Sequence, residues 1–265
     1  MTTLVATDLD RTVVHSARVA GPARPRELVC LERRGSVATA SLLRSTAATL
    51  GELARRVVWV PATTRSVAEY RRLDLAGRLG LVPRHAVCAN GGVLLVDGVR
   101  DPAWAARIEV LLAGVAPPVE IADLVTRHLD RLSSDTDVPP RVVDGVLVVA
   151  RARPAVGLDE LSAECAARGW RTVVHGDKVH LLPAALGKCA AVEEVRRRVG
   201  ATHLLAAGDS PLDAEMLAAA DAGIHPSDGR LYADGWAADH VVTTTGTGVR
   251  AGHEIVRWLL ARAVR

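Results

Sequence analysis

Two carboxylates stand two residues apart where a short apolar run ends, in Val5-Ala6-Thr7-Asp8-Leu9-Asp10-Arg11-Thr12-Val13. If residues 4–7 form a buried strand, Asp8 is the first residue past its C-terminal end, the edge at which open α/β sheets hold ligands. In the loop beyond it, Asp8 and Asp10 can converge, and close carboxylates repel unless a cation or proton lies between them. That geometry predicts Mg²⁺, a hard cation that prefers oxygen ligands. Alone, an Asp-x-Asp after a strand is also a common turn or helix cap.

Two further stretches repeat the pattern. Val57-Val58-Trp59-Val60 reads as a short buried strand, and its exit Pro61-Ala62-Thr63-Thr64-Arg65 sets hydroxyls and a guanidinium at the strand's edge. His203-Leu204-Leu205-Ala206-Ala207 reads as another, leading into Gly208-Asp209-Ser210-Pro211-Leu212-Asp213. Parallel pairing brings such ends together. By itself Thr63 is a strand-end hydroxyl, Lys188 a solvated helix residue and Asp213 a helix N-cap; only their joint occurrence favours chemistry. Arg65 either faces a substrate or pairs with an acid.

The elements that must position these residues alternate in type. Residues 27–40 read as a flap, with a strand at Leu28–Leu31, a turn at Arg34-Gly35 and a return over Ser36–Ala40. Ser41 is placed as the cap of a helix running to Arg56, and Ser66 as the start of another reaching Leu75. Asn90-Gly91-Gly92 marks a turn between two strands. From residue 100 prolines interrupt the rhythm, and helices are expected near 103–113 and 119–133, a strand over 141–152, a helix over 158–168, and a hairpin about Gly176-Asp177. Helices over 186–199, 213–220 and 248–263, a strand at 222–224 and a Gly-rich loop over 228–235 complete the chain.

The order and spacing of these stations resemble the haloacid dehalogenase (HAD) superfamily of phosphohydrolases. Asp8-Leu9-Asp10-Arg11-Thr12 is similar to its first station, which implies Asp8 as nucleophile and Asp10 as general acid/base. Thr63 and Lys188 match the residues that bind the transferring phosphoryl group, and Asp209 and Asp213 match the acidic station that holds Mg²⁺ with Asp8 and the Asp10 carbonyl. The resemblance implies an α/β fold: a Rossmann-like parallel-sheet core over residues 1–99 and 184–265, with an inserted α+β cap domain over 100–183. The cap's position resembles the type-2 cap of the branch containing sucrose-phosphate and mannosyl-phosphoglycerate phosphatases. Arg11 stands where the family usually has Gly, Thr64 at the Gly of Thr-Gly-Arg, and Cys189 at the Gly after the lysine. None removes a reacting group, but Arg11 and Thr64 put larger side chains near the site.

The resemblance implies a Mg²⁺-dependent phosphomonoester hydrolase working through an aspartyl-phosphate on a small phosphorylated metabolite such as a sugar phosphate. A phosphotransferase or phosphomutase would use the same intermediate with another acceptor. A phospho-receiver module would need neither Asp10 nor a cap. Within the cap, Lys178 and His180 lie two apart on a strand face opposite Val179 and Leu181. They either meet the leaving group or form a solvated hairpin face. His225, His240 and His253 lack ligand spacing and are expected in loops or at the surface.

Composition narrows the alternatives. At 265 residues the chain can bury a substantial core, and 49% apolar with 24% charged residues excludes disorder as the default. There is no Phe, and Lys178 and Lys188 are the only lysines, so arginine carries nearly all the positive charge. The net charge of +3 is scattered without aromatic spacing, which argues against nucleic-acid binding. Cys30, Cys88, Cys165 and Cys189 show no Cys-x-x-Cys pairing, as befits a reducing compartment without zinc or disulfides. With no basic leader and no apolar run of ~18 residues, neither secretion nor membrane insertion is expected and a cytoplasmic location is.

Overall fold

The computed structural model describes residues 2–131, 138–151, 158–175 and 178–263. Two compact units emerge, Met1–Val99 with Gly187–Arg265, and Arg100–Leu186.

The first unit opens with β1 (Thr3–Thr7), the hairpin β2 (Leu28–Arg34) and β3 (Val37–Leu43), α1 (Arg44–Arg56), β4 (Val58–Pro61), α2 (Val67–Arg71) and α3 (Leu75–Leu79). β5 (His85–Cys88), β6 (Val93–Val96) and β7 (Val99–Arg100) come next. The inserted unit holds α4 (Pro102–Ala113), α5 (Pro118–Arg131), β8 (Arg141–Val143), β9 (Leu147–Arg151), α6 (Leu158–Ala166), β10 (Trp170–His175) and β11 (Lys178–Pro183). The chain then returns through α7 (Lys188–Val199), β12 (His203–Ala207), α8 (Ala214–Ala218), β13 (Ala222–His225), α9 (Arg230–Ala233), β14 (Val241–Thr243) and α10 (Gly248–Ala263).

The main sheet runs β14-β13-β12-β1-β4 with every neighbour parallel. β1, β4, β12 and β13 are nearly continuous buried runs, as expected where both faces are covered, while the edge strand β14 is largely exposed. Leu4, Val5 and Ala6 in β1 are fully buried, and Leu50 and Leu53 of α1 with Ile255 and Leu259 of α10 join Val5, Leu205 and Ile224 in one core cluster. Burying each such leucine contributes about 2 kcal/mol. In register, Thr7 of β1 lies opposite Ala207 of β12 and Pro61 of β4. The exits carrying Asp8, Gly208 and Ala62 are therefore level with one another, as the α/β reading expects.

In the inserted unit the antiparallel order is β10-β11-β9-β8. α5 and α6 pack on that sheet through Ile121, Val125, Leu161 and Cys165. Trp170, fully buried, donates its indole N–H to the Ala116 carbonyl at 2.9 Å, so its polar atom is satisfied inside that core.

Several local expectations change. Ser41 caps nothing: it lies in β3, bonded through its own backbone N–H and C=O to His15, and α1 begins only at Arg44. The helix expected from Ser66 to Leu75 is two, because Ser66 and Glu69 form a capping box for α2 while Asp74, at φ +47°, caps a separate α3. Residues 141–151 form the hairpin β8–β9 rather than one strand, turning at Asp144 and Gly145, whose φ values of +50° and +77° suit a tight hairpin. The loop expected over 228–235 contains α9, and the β-branched Val241-Val242-Thr243 adds a strand. The turn at Gly176-Asp177, the end of the helix expected to 133, and Ala152 lie outside the described residues.

Candidate active site

Asp8 comes directly after β1, its N–H bonded to the Ala207 carbonyl at 2.8 Å, so the main sheet itself sets its position. Its Oδ2 accepts from the Thr12 hydroxyl at 3.2 Å and its Oδ1 from Lys188 Nζ at 2.6 Å. Lys188 is the first residue of α7 and is buried to 1% exposure; Nζ also reaches Asp213 Oδ1 at 2.6 Å. Asp213 occupies the cap position of α8 yet makes no side-chain cap bond there. Its Oδ2 turns back to accept from the N–H groups of Asp209 and Ser210 and from the Ser210 hydroxyl, at 3.2, 3.1 and 2.9 Å. Gly208 is required by this fold-back, because a Cβ there would lie 2.3 Å from Asp213 Cβ.

A second glycine seats the lysine. Gly91, in the one-turn 3₁₀ helix Ala89–Gly91, has φ +98°, and a Cβ on it would stand 2.2 Å from the Gly187 carbonyl. Only glycine allows that turn to lie against the backbone immediately before Lys188. The same turn braces the β4 exit: Asn90 N–H bonds to the Thr63 carbonyl at 3.0 Å, and Thr63 N–H to the Val87 carbonyl at 2.8 Å. Thr63 is fully buried, with its Oγ1 accepting from Arg65 N–H at 3.1 Å.

One ligand oxygen from each of Asp8, Asp209 and Asp213 lies within 4.8 Å of the others. Burial, joined by the Asp213 and Asp10 charges, outweighs Lys188 and pushes Asp8 up to about 7. Burial and the charges of Asp8 and Asp213 hold Asp209 well above the ordinary carboxylate range. Burial opposes the charge on Lys188, but Asp213 and Asp8 overcome it and raise its pKa. Three crowded carboxylates with hard oxygen donors fit a small divalent cation such as Mg²⁺.

The Asp10 carboxylate stands outside this triad. It is 44% exposed and paired with Arg65, which selects the acid-pairing alternative for Arg65. That guanidinium also bonds to Glu32 Oε2 at 2.8 Å. Arg11 has φ +66° and places Nε 3.5 Å from Asp209 Oδ2. In the inserted unit Lys178 is exposed but His180 is buried at 8%, so they do not share a solvated face. β11 lies between β10 and β9, with His180 opposite Val173 and Val149. His225 is likewise buried, on β13 beside Trp236, and not at the surface.

No family model matches the chain. Solved structures match along nearly its whole length: the sucrose-phosphatase of Synechocystis sp. PCC6803, determined with sucrose and phosphate, has a TM-score of 0.70 at 17% identity, covering 98% of each chain. A phosphatase of the HAD superfamily from Bacteroides thetaiotaomicron has a TM-score of 0.60 at 16% identity, over 98% of this chain and 95% of that one. The fold is that of the HAD superfamily. A curated phosphoglycolate phosphatase of Aeropyrum pernix is 31% identical over 119 residues, 44% of this chain and 48% of that protein. The chain thus spans about half the length of that curated relative.

Against the usual HAD pattern, the departure at residue 11 keeps a glycine-like backbone while carrying an arginine. Glu32, Thr12 and Ser210 also touch the charged groups of the site. Thr12 and Ser210 lie within the Asp8 and Asp209 stretches, so the sequence carries a signal for their hydroxyls. Glu32 carries no such signal: it reads as a flap acid, yet it is buried at 7% between Arg65 and Arg72. Burial works against its charge, but the bonds from Arg65 and Arg72 prevail and hold it below the usual glutamate range.

Proposed function

We propose that the chain is a Mg²⁺-dependent phosphomonoester hydrolase that forms an aspartyl-phosphate on Asp8 and acts on a small phosphorylated metabolite, a sugar phosphate in the first instance. The observation that carries this reading is Lys188 Nζ, buried and held at 2.6 Å from both Asp8 and Asp213. A buried lysine between two carboxylates organises an anionic centre, and the sheet register brings Asp209 and Thr63 to the same edge.

In the proposed sequence an Asp8 carboxylate oxygen attacks phosphorus and the bond to the leaving alkoxide breaks. Asp10 delivers its proton to that alkoxide. Water then attacks the phosphorus, Asp10 takes the water's proton, and the bond to Asp8 breaks to release inorganic phosphate. Lys188 and the Thr63 hydroxyl neutralise the equatorial oxygens. Asp8, Asp209, Asp213 and the Asp10 carbonyl are assigned to hold Mg²⁺, which when bound neutralises phosphoryl charge. The unit Arg100–Leu186 is assigned the choice of leaving group.

The test is phosphate release over a panel of phosphorylated metabolites, with and without Mg²⁺, by the native chain and Asp8→Asn. Release that needs Mg²⁺ and vanishes in Asp8→Asn supports the reading. Undiminished release by Asp8→Asn removes the assigned nucleophile. Transfer to an added alcohol or sugar in preference to water would favour a phosphotransferase.

A further inference from the structure

Residue 11 adopts φ +66°, a left-handed backbone that glycine takes freely and arginine rarely. The turn itself does not call for a long cationic chain, since the bond it uses, N–H to the Val14 carbonyl at 2.7 Å, is open to other residue types. The distinctive part is the guanidinium. Nη2 donates to the Asp228 carbonyl at 3.0 Å, and from that anchor Nε stands 3.5 Å from Asp209 Oδ2. The Arg11 side chain is 37% exposed and that of Asp209 3%, so the cation sits at the rim of the pair and the carboxylate inside. Lys188 is already shared between Asp8 and Asp213. Arg11 therefore supplies countercharge at the third carboxylate of the triad.

We propose that Arg11 is a built-in competitor for the divalent cation: its guanidinium neutralises Asp209 when no cation is bound and weakens cation binding by the Asp8, Asp209 and Asp213 cluster. This rests on the reading of that cluster as a Mg²⁺ site. A cation entering there must displace the guanidinium from Asp209 or tolerate a like charge several ångströms away. At the high effective dielectric of a partly exposed pair, that repulsion corresponds to ~10-fold in affinity. Glycine at the same position would leave the carboxylate to the ion.

Calorimetric titration of Mg²⁺ into the full chain, without substrate and at mildly alkaline pH, tests this with the native protein, Arg11→Gly and Arg11→Gln. Glycine suits the left-handed backbone, while glutamine keeps a side chain and the backbone strain but removes the charge. Both variants are expected to bind Mg²⁺ ~10-fold more tightly than the native chain. Unchanged or weaker binding in both overturns the proposal. Tightening in Arg11→Gly alone also overturns it, because relief of backbone strain would then be the cause. Absence of Mg²⁺ binding in all three proteins would instead overturn the metal reading on which it rests.

Discussion

Arg65 grips Asp10 through two parallel bonds, Nε to Oδ2 at 2.6 Å and Nη2 to Oδ1 at 2.7 Å. A fork of this kind fixes the plane of the carboxylate as well as its place. Arg65 is fixed in turn by Glu32 on β2, which Arg72 Nε also meets at 2.8 Å. The orientation of the proposed acid/base thus depends on the β2–β3 hairpin, a segment remote from it in sequence.

Glu32→Gln is expected to lower turnover of alkyl phosphates ~10-fold and of an aryl phosphate less than ~2-fold, since an aryl leaving group needs little protonation. Asp10→Asn should show the same contrast more strongly, ~100-fold on alkyl substrates. Steady-state kinetics on one alkyl and one aryl ester decides it. Equal losses on both esters would mean that Glu32 supports the fold and not the proton transfer.

Asp8→Asn and Lys188→Met should part company in stability although both are expected to abolish activity. Burial and neighbouring acids disfavour the Asp8 carboxylate, so a neutral amide relieves that cost and the metal-free melting temperature should rise above neutral pH. Removing Lys188 leaves Asp8 and Asp213 facing each other without their shared cation, at a cost of ~3 kcal/mol. Thermal unfolding of the two variants in chelator provides the comparison; a destabilised Asp8→Asn would contradict it.

Gly91→Ala combines a positive φ with a Cβ 2.2 Å from the Gly187 carbonyl. The substitution should destabilise the chain by ~2 kcal/mol or more and reduce activity beyond what unfolding explains, because the start of α7 carries Lys188. Gly98→Ala is the control, since it has φ +77° with open space around its Cβ. A similar activity per folded molecule in both variants would remove the role assigned to the Gly91 contact.

Burial lowers the pKa of His15 from 6.5 to about 4. Between those values the unfolded chain binds a proton that the folded chain does not, so stability falls as pH drops through that window. The loss amounts to ~3 kcal/mol at most, at ~1.4 kcal/mol per pH unit. His15→Gln should flatten this part of the curve. Denaturant unfolding of native and variant chains at mildly acid and neutral pH measures the difference, and parallel curves would refute it.

The amino-acid order by itself determined where the proposed reacting groups stand, because an apolar run that ends in Asp, Thr or Gly-Asp is a strand and its exit, and both are local properties. Asp8, Thr63 and Asp209 are legible on that ground, and Lys188 only through the family resemblance. The Asp144-Gly145 turn is equally local, yet the apolar run around it reads as one strand. Tertiary structure alone decided which charges meet. Glu32 and Arg65 are 33 residues apart in sequence, and no periodicity links an acid on a hairpin to a guanidinium at another strand's end. The burial of His180 likewise depends on β11 being an inner strand, and the contact of Arg11 with Asp209 on β1 lying beside β12. Strand alternation and turn chemistry act over a few residues, whereas ion pairing depends on proximity in space, which exists only once the sheet has assembled.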